Sequence, residues 1–108
     1  MGLVGFWEGV VKLLSTNSQV AATKNQISSD LADEAIILDL KTGVYYGLGE
    51  VGARIWGLIQ EPQTIQQIKN VILSEYEVDE ERCERDLLNL IQDLAAKGLV
   101  EVSDEQSS

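Results

Sequence analysis

Apolar positions change their period along the chain, and the changes mark out its elements. Over residues 3–14, Leu3, Phe6, Trp7, Val10, Val11 and Leu14 recur at helical spacing with Glu8 and Lys12 between them. This predicts a short amphipathic helix within residues 1–17. STNS at 15–18 breaks the pattern, after which 19–27 reads as a first strand and SSD at 28–30 as a turn. Branched residues over 35–40 predict a second strand. Lys41, Thr42 and Gly43 then make a tight connection in which Gly43 takes the positive φ of a bulged hairpin loop, and 44–48 returns antiparallel.

From Glu50 the period becomes helical. A first helix is expected over 50–59, with Val51, Ile55, Leu58 and Ile59 inward, ending before Pro62 because the residue preceding proline avoids helical angles. Thr64 caps a second helix carrying Ile65, Ile68, Ile72 and Tyr76 on one stripe. Asp79 caps a third, with Glu80, Glu81 and Glu84 in its first turns, Lys97 at its end and Gly98 as its stop. Residues 99–102 add a last extended piece, and 103–108 read as a disordered tail. The main domain is thus 18–102. A three-stranded antiparallel meander must cover its apolar face with the three helices, which is an α+β solution to burial.

Composition narrows the function. One domain fits 108 residues, and 44% hydrophobic content excludes a wholly disordered chain. Eight Lys and Arg against 18 Asp and Glu give a net charge of -10, which disfavours nucleic acid and anionic membrane as partners and suits a neutral or basic one. The N-terminal segment has no basic n-region or spanning length, and Phe6 stands where an acylation signal needs Ser or Thr. Cys83 is the only cysteine and there is no histidine, so no disulfide, zinc site, metal or other cofactor is expected. A cytoplasmic binding protein is the expectation, and not an enzyme.

Two motifs invite chemistry. GLGEVG at 47–52 spells a dinucleotide fingerprint, but that mechanism needs a parallel β-α-β unit, and Glu50 would repel pyrophosphate. The alternative is a strand-to-helix turn. Asp79, Glu80, Glu81 and Glu84 lie where acids suit a helix start, and Cys83 falls on a core stripe with no base beside it.

The third helix and the third strand are more informative. At about 100° per residue, Cys83, Leu87, Leu90 and Leu94 form one apolar strip, with Leu88, Ile91 and Ala95 beside it. The first is expected to face the core. The second, near Arg85, Asp86 and Gln92, lines a groove, or else the core face is simply wide. The strand VYYGL carries no lysine, proline or bulge to blunt its outer edge. Either another segment covers that edge or it accepts an added strand. Tyr45 and Tyr46 must then point to opposite faces.

The run LDLKTGVYYGLGEVGARIWGLI, the segment PQTIQQIKNVILSEYEV and the ending CERDLLNLIQDLAAKGLVEV together resemble PqqD-like proteins, the recognition elements for ribosomally made precursor peptides. The likeness runs through Tyr45-Tyr46, Gly52-x-x-x-Trp56, Pro62-x-Thr64 and Gly98-Leu99-Val100 over about 19–102, and is greatest to the stand-alone proteins of lasso-peptide biosynthesis. It implies a winged-helix-like fold that binds a precursor's leader as an extra strand and presents it to a leader peptidase and an ATP-dependent macrolactam cyclase. Carried onto matching positions, the peptide contacts would be Val44, Tyr45, Tyr46, Gly47 and Leu48, with Arg85, Asp86, Leu88 and Ile91 across the groove. The N-terminal helix lies outside the resemblance. Two alternatives stand beside it. One is a related chaperone for another modified peptide or a peptide-derived cofactor. The other is a winged-helix regulator, although Arg82 and Arg85 stand among six acids where DNA recognition needs basic residues.

Overall fold

The computed structural model describes residues 17–24, 26–31 and 33–104, so the expected N-terminal helix and residues 105–108 lie outside it. Its elements are β1 (Ser18–Ala22), β2 (Gln26–Leu31), β3 (Glu34–Asp39), β4 (Tyr45–Leu48), α1 (Glu50–Leu58), β5 (Gln63–Thr64), α2 (Ile65–Glu75), α3 (Glu80–Ala96) and β6 (Val100–Asp104). The expected α+β arrangement is present: an antiparallel meander β2-β3-β4 followed by three helices.

The first strand is where the structure departs from expectation. The stretch 19–27 splits in two, and its halves belong to different sheets. β1 is the centre of a second antiparallel sheet, β5-β1-β6. The chain leaves it where the Ala22 N–H donates to Ile59 O at 2.8 Å and the Thr23 N–H to Leu99 O at 2.9 Å. Ser28, Ser29 and Asp30 are not a turn but the middle of β2, opposite Ile37, Ile36 and Ala35. They read as a turn because they are polar, yet an exposed edge strand needs only its backbone to pair. β6 pairs with β1 as far as Asp104, so Ser103 and Asp104 belong to the strand rather than to the tail.

The core forms where the inner face of the meander meets the helices. Ala35 and Ile37 from β3 and Val20 from β1 pack with Ile55, Trp56 and Ile59 of the first helical unit, Ile65, Ile68 and Ile72 of α2, and Leu87, Ile91 and Leu94 of α3, all nearly or wholly buried. Trp56, absent from the expected inward set, is among the largest buried side chains, and its indole N–H finds no acceptor among the described residues. Val51 is partly exposed instead.

Local signals hold at the joints. Thr64 accepts from the Gln67 N–H at 3.0 Å while Gln67 Oε1 accepts from the Thr64 N–H at 2.8 Å, a complete capping box. Asp79 accepts from the Arg82 N–H at 3.1 Å and caps α3. Gly98 ends α3 at φ 75°, and Gly43 takes the same angle in the β3-β4 hairpin, where its N–H donates to Asp39 O at 2.8 Å. Lys69 of α2 is buried between Glu80 and Glu84 of α3, at 3.2 and 2.9 Å, and these bonds hold its ammonium above the ordinary lysine range. This ion triad links α3 to α2 beside their shared apolar core.

Candidate functional site

β4 is the edge strand of the meander, and among the described residues nothing pairs with its outer side. The register decides which backbone groups that side offers. The Asp39 N–H donates to Val44 O at 2.9 Å directly across the hairpin. Hydrogen-bonded pairs alternate along an antiparallel ladder, so Ile37–Tyr46 and Ala35–Leu48 are bonded pairs as well. Tyr45 and Gly47 therefore direct their N–H and C=O groups away from β3, toward the open edge.

The two tyrosines part as the pleat requires. Tyr45 is 68% exposed on the outer face, in a cross-strand row with Leu38 and Ile27. Tyr46 is half-buried on the inner face, packed against the core. Lys97, just past α3, places its ammonium 5.4 Å from the Tyr46 ring centroid and donates to Asp93 at 2.7 Å.

Beside the open edge lies a cavity of about 610 Å³ between the β4-α1 junction and α3. This is within the range of pockets that hold ligands, roughly 300 to 1,000 Å³. Ile55, Ile72, Cys83 and Leu87 form its buried floor, and Leu48, Val51 and Leu90 its sides. Glu77, Asp79, Arg82 and Asp86 stand at its mouth. β4 and α3 run in opposite senses along it, because Lys97 meets Tyr46 at one end while Asp79 and Arg82 meet Gly49 and Val51 at the other.

The structure separates the four helix residues expected across the groove. Of the four residues expected across the groove, only Asp86 lines it. Ile91 is fully buried in the core. Arg85 and Leu88 line a separate shallow depression with Glu81, Glu84, Asn89 and Gln92, on the far flank of α3. Arg82, Leu87 and Leu90 take their place. The buried stripe of α3 is centred between Cys83 and Ile91, so its two flanks begin at Leu90 and at Leu88, and β4 lies on the Leu90 side. At about 100° per residue, Arg82, Asp86, Leu90 and Lys97 do fall on one flank, but the wheel does not mark it as the flank that faces β4.

The glycine motif does not form a phosphate loop. Gly47 lies within antiparallel β4, Gly49 is the N-cap of α1 at φ −76°, and Gly52 lies in the helix, where a Cβ would come within 3.2 Å of Leu48 Cβ. Close packing of α1 on β4, rather than a left-handed turn, is what Gly52 permits. Burial pushes the Cys83 thiol up, which suits a floor residue rather than a nucleophile. Among the described residues no group of three or more potential ligands could hold a metal ion, and no helix is long and apolar enough to cross a membrane.

The family described as coenzyme PQQ synthesis protein D (PqqD) matches residues 34–100, well over half of the chain. The chain belongs to the PqqD family. Among solved structures, this PqqD-family chain is similar to TbiB1 in complex with the TbiA(beta) leader peptide: 40% identity, TM-score 0.71, covering 75% of this chain and 94% of that one. A lasso peptide synthetase B1 complexed with the leader peptide has the same fold at 22% identity and TM-score 0.68, covering 76% and 96%. No curated protein matches the chain.

Proposed function

We propose that this PqqD-family protein captures the leader region of a ribosomally synthesised precursor peptide as an added strand on β4, without catalysing a step itself. It would work in the cytoplasm, handing the precursor to a leader peptidase and an ATP-dependent macrolactam cyclase. One observation carries the reading: an open strand edge lies directly beside an apolar groove. Backbone bonds to Tyr45 and Gly47 would supply affinity, and alternate guest side chains would enter the groove. Support comes from TbiB1, which has this fold at 40% identity and was solved with a leader peptide bound. The proposed contacts are Val44, Tyr45, Tyr46, Gly47 and Leu48 from the strand side, with Arg82, Asp86 and Leu90 from α3.

The test is titration with the leader of the precursor encoded beside this gene, followed by amide shifts. Tyr45 and Gly47 should shift most. Gly47→Pro removes an outward donor and is expected to weaken binding at least about tenfold while the chain stays folded. Tyr46→Pro removes a donor that serves β3, and should instead lower thermal stability. Binding that survives Gly47→Pro at full strength would exclude strand addition on β4.

A further inference from the structure

The groove has a charge polarity as well as an apolar floor, and this says what its guest must carry. At the end where β4 runs into α1, three carboxylates, Glu77, Asp79 and Asp86, line the mouth. The one cation among them, Arg82, already lies 3.7 Å from Asp86. The N-terminus of α3 adds roughly half a positive charge, which leaves that end clearly anionic. At the other end Lys97 and Asp93 pair at 2.7 Å and cancel. The whole chain, at -10, reinforces the field at the acidic end.

Resting on the leader-binding reading above, we infer that the groove selects a peptide with a bulky apolar residue to fill the cavity and a lysine or arginine beside it, placed at the Gly49 end. The apolar anchor supplies burial against Ile55, Leu87 and Leu90. The basic residue supplies register and direction, because an anchor inserted with the strand reversed would carry the cation away from the three carboxylates to the end where Lys97 and Asp93 cancel. An anionic end and a neutral one are how an otherwise uniform edge distinguishes two guest orientations.

A displayed library of random peptides of about twelve residues, panned on the full chain, is the probe, since such peptides can span the short β4 edge. Enriched peptides should pair an apolar anchor with a nearby Lys or Arg. Replacing that basic residue by Glu should weaken binding about tenfold at low salt, and much less at about 0.5 M salt, where screening is strong. Glu77→Lys should restore the charge-swapped peptide and weaken the original. Suppose instead the peptides lose affinity on Gly47→Pro and Leu90→Asp, yet tolerate the charge swap within about twofold. The inference then fails while the leader-binding reading stands. A library that yields no binder, or binders indifferent to both groove variants, overturns the two together.

Discussion

Leu90 and Leu88 stand two residues apart on α3, both half-buried, at the two margins of the same buried stripe. Leu90 lines a groove with an open strand beyond it, in company with Arg82 and Asp86. Leu88 lines a shallow depression with Arg85 and Gln92. The two margins have nearly the same composition, a leucine, an arginine and acids, so composition does not separate them. What separates them is the element opposite. The buried stripe Cys83, Leu87, Ile91 and Leu94 orients α3 on the core, with Lys69 bridging it to α2, and the strand order puts β4 on one side only. A binding surface here is a property of two elements brought together.

The largest effect should come from the residue between the margins. Ile91→Ala empties a fully buried site and is expected to cost about 2 to 5 kcal/mol of stability. Chemical denaturation measures it. Leader affinity at a temperature where the variant is folded should be unchanged, because Ile91 touches the core and not the groove. A selective loss of affinity with little loss of stability would put Ile91 back in the site, where the sequence had placed it.

The direct comparison is Leu90→Asp against Leu88→Asp. The first puts a charge beside the guest and removes apolar lining, so affinity should fall at least about tenfold. The second should leave affinity within about twofold, since solvent already reaches that margin. Isothermal titration of both against one peptide reads the difference, and equal losses would erase the distinction between the flanks.

Legibility from sequence follows the same division. The meander's last two strands, its bulged hairpin at Gly43, the Thr64 and Asp79 caps and the Gly98 stop were readable because each is decided by residues within a few positions of one another. The opposed tyrosines followed from a period of two, and the open edge of β4 from its place as the last strand of the meander. The split of 19–27 was not readable, because β1 is held by β5 and β6, partners more than 40 residues away. Which residues of α3 face the cavity was not readable for a related reason. A helical wheel shows which residues are apolar, and Leu88 with Ile91 looks as good a strip as Leu90, but only the tertiary position of β4 tells the flanks apart. The charged part of the lining differs by one turn: the sequence pointed to Arg85 with Asp86, whereas Arg82 and Asp86 line the cavity.

A smaller effect belongs to the Leu90 side alone. Lys97→Met removes the ammonium over Tyr46, a contact of about 0.5 to 1 kcal/mol, so leader affinity should drop about two- to fivefold through loosening of the edge strand. Arginine in its place keeps a cation over the ring, and Lys97→Arg should recover most of the loss. Fluorescence anisotropy with a labelled leader resolves changes of this size, and an undiminished affinity in Lys97→Met would remove Tyr46 ordering from the account.

The smallest effect serves as the control that separates stability from binding. Arg54 of α1 holds Glu75 at the end of α2 through two bonds of 2.8 Å, away from both flanks of α3. The hydrogen bonds from Arg54 keep the Glu75 carboxyl below its ordinary value. A carboxyl depressed in the folded state adds stability that is present above its unfolded pKa and disappears as pH falls through the folded one. Glu75→Gln should therefore lower the melting temperature slightly at neutral pH, and the gap from the parent should close on acidification below the usual carboxylate range. Both partners are about 40% exposed, so salt should shrink the gap as well. Leader affinity of the variant should match the parent's at each of these conditions. If it does, the losses expected from Leu90→Asp cannot be read as groove contacts, because a remote drop in stability would then be enough to weaken binding.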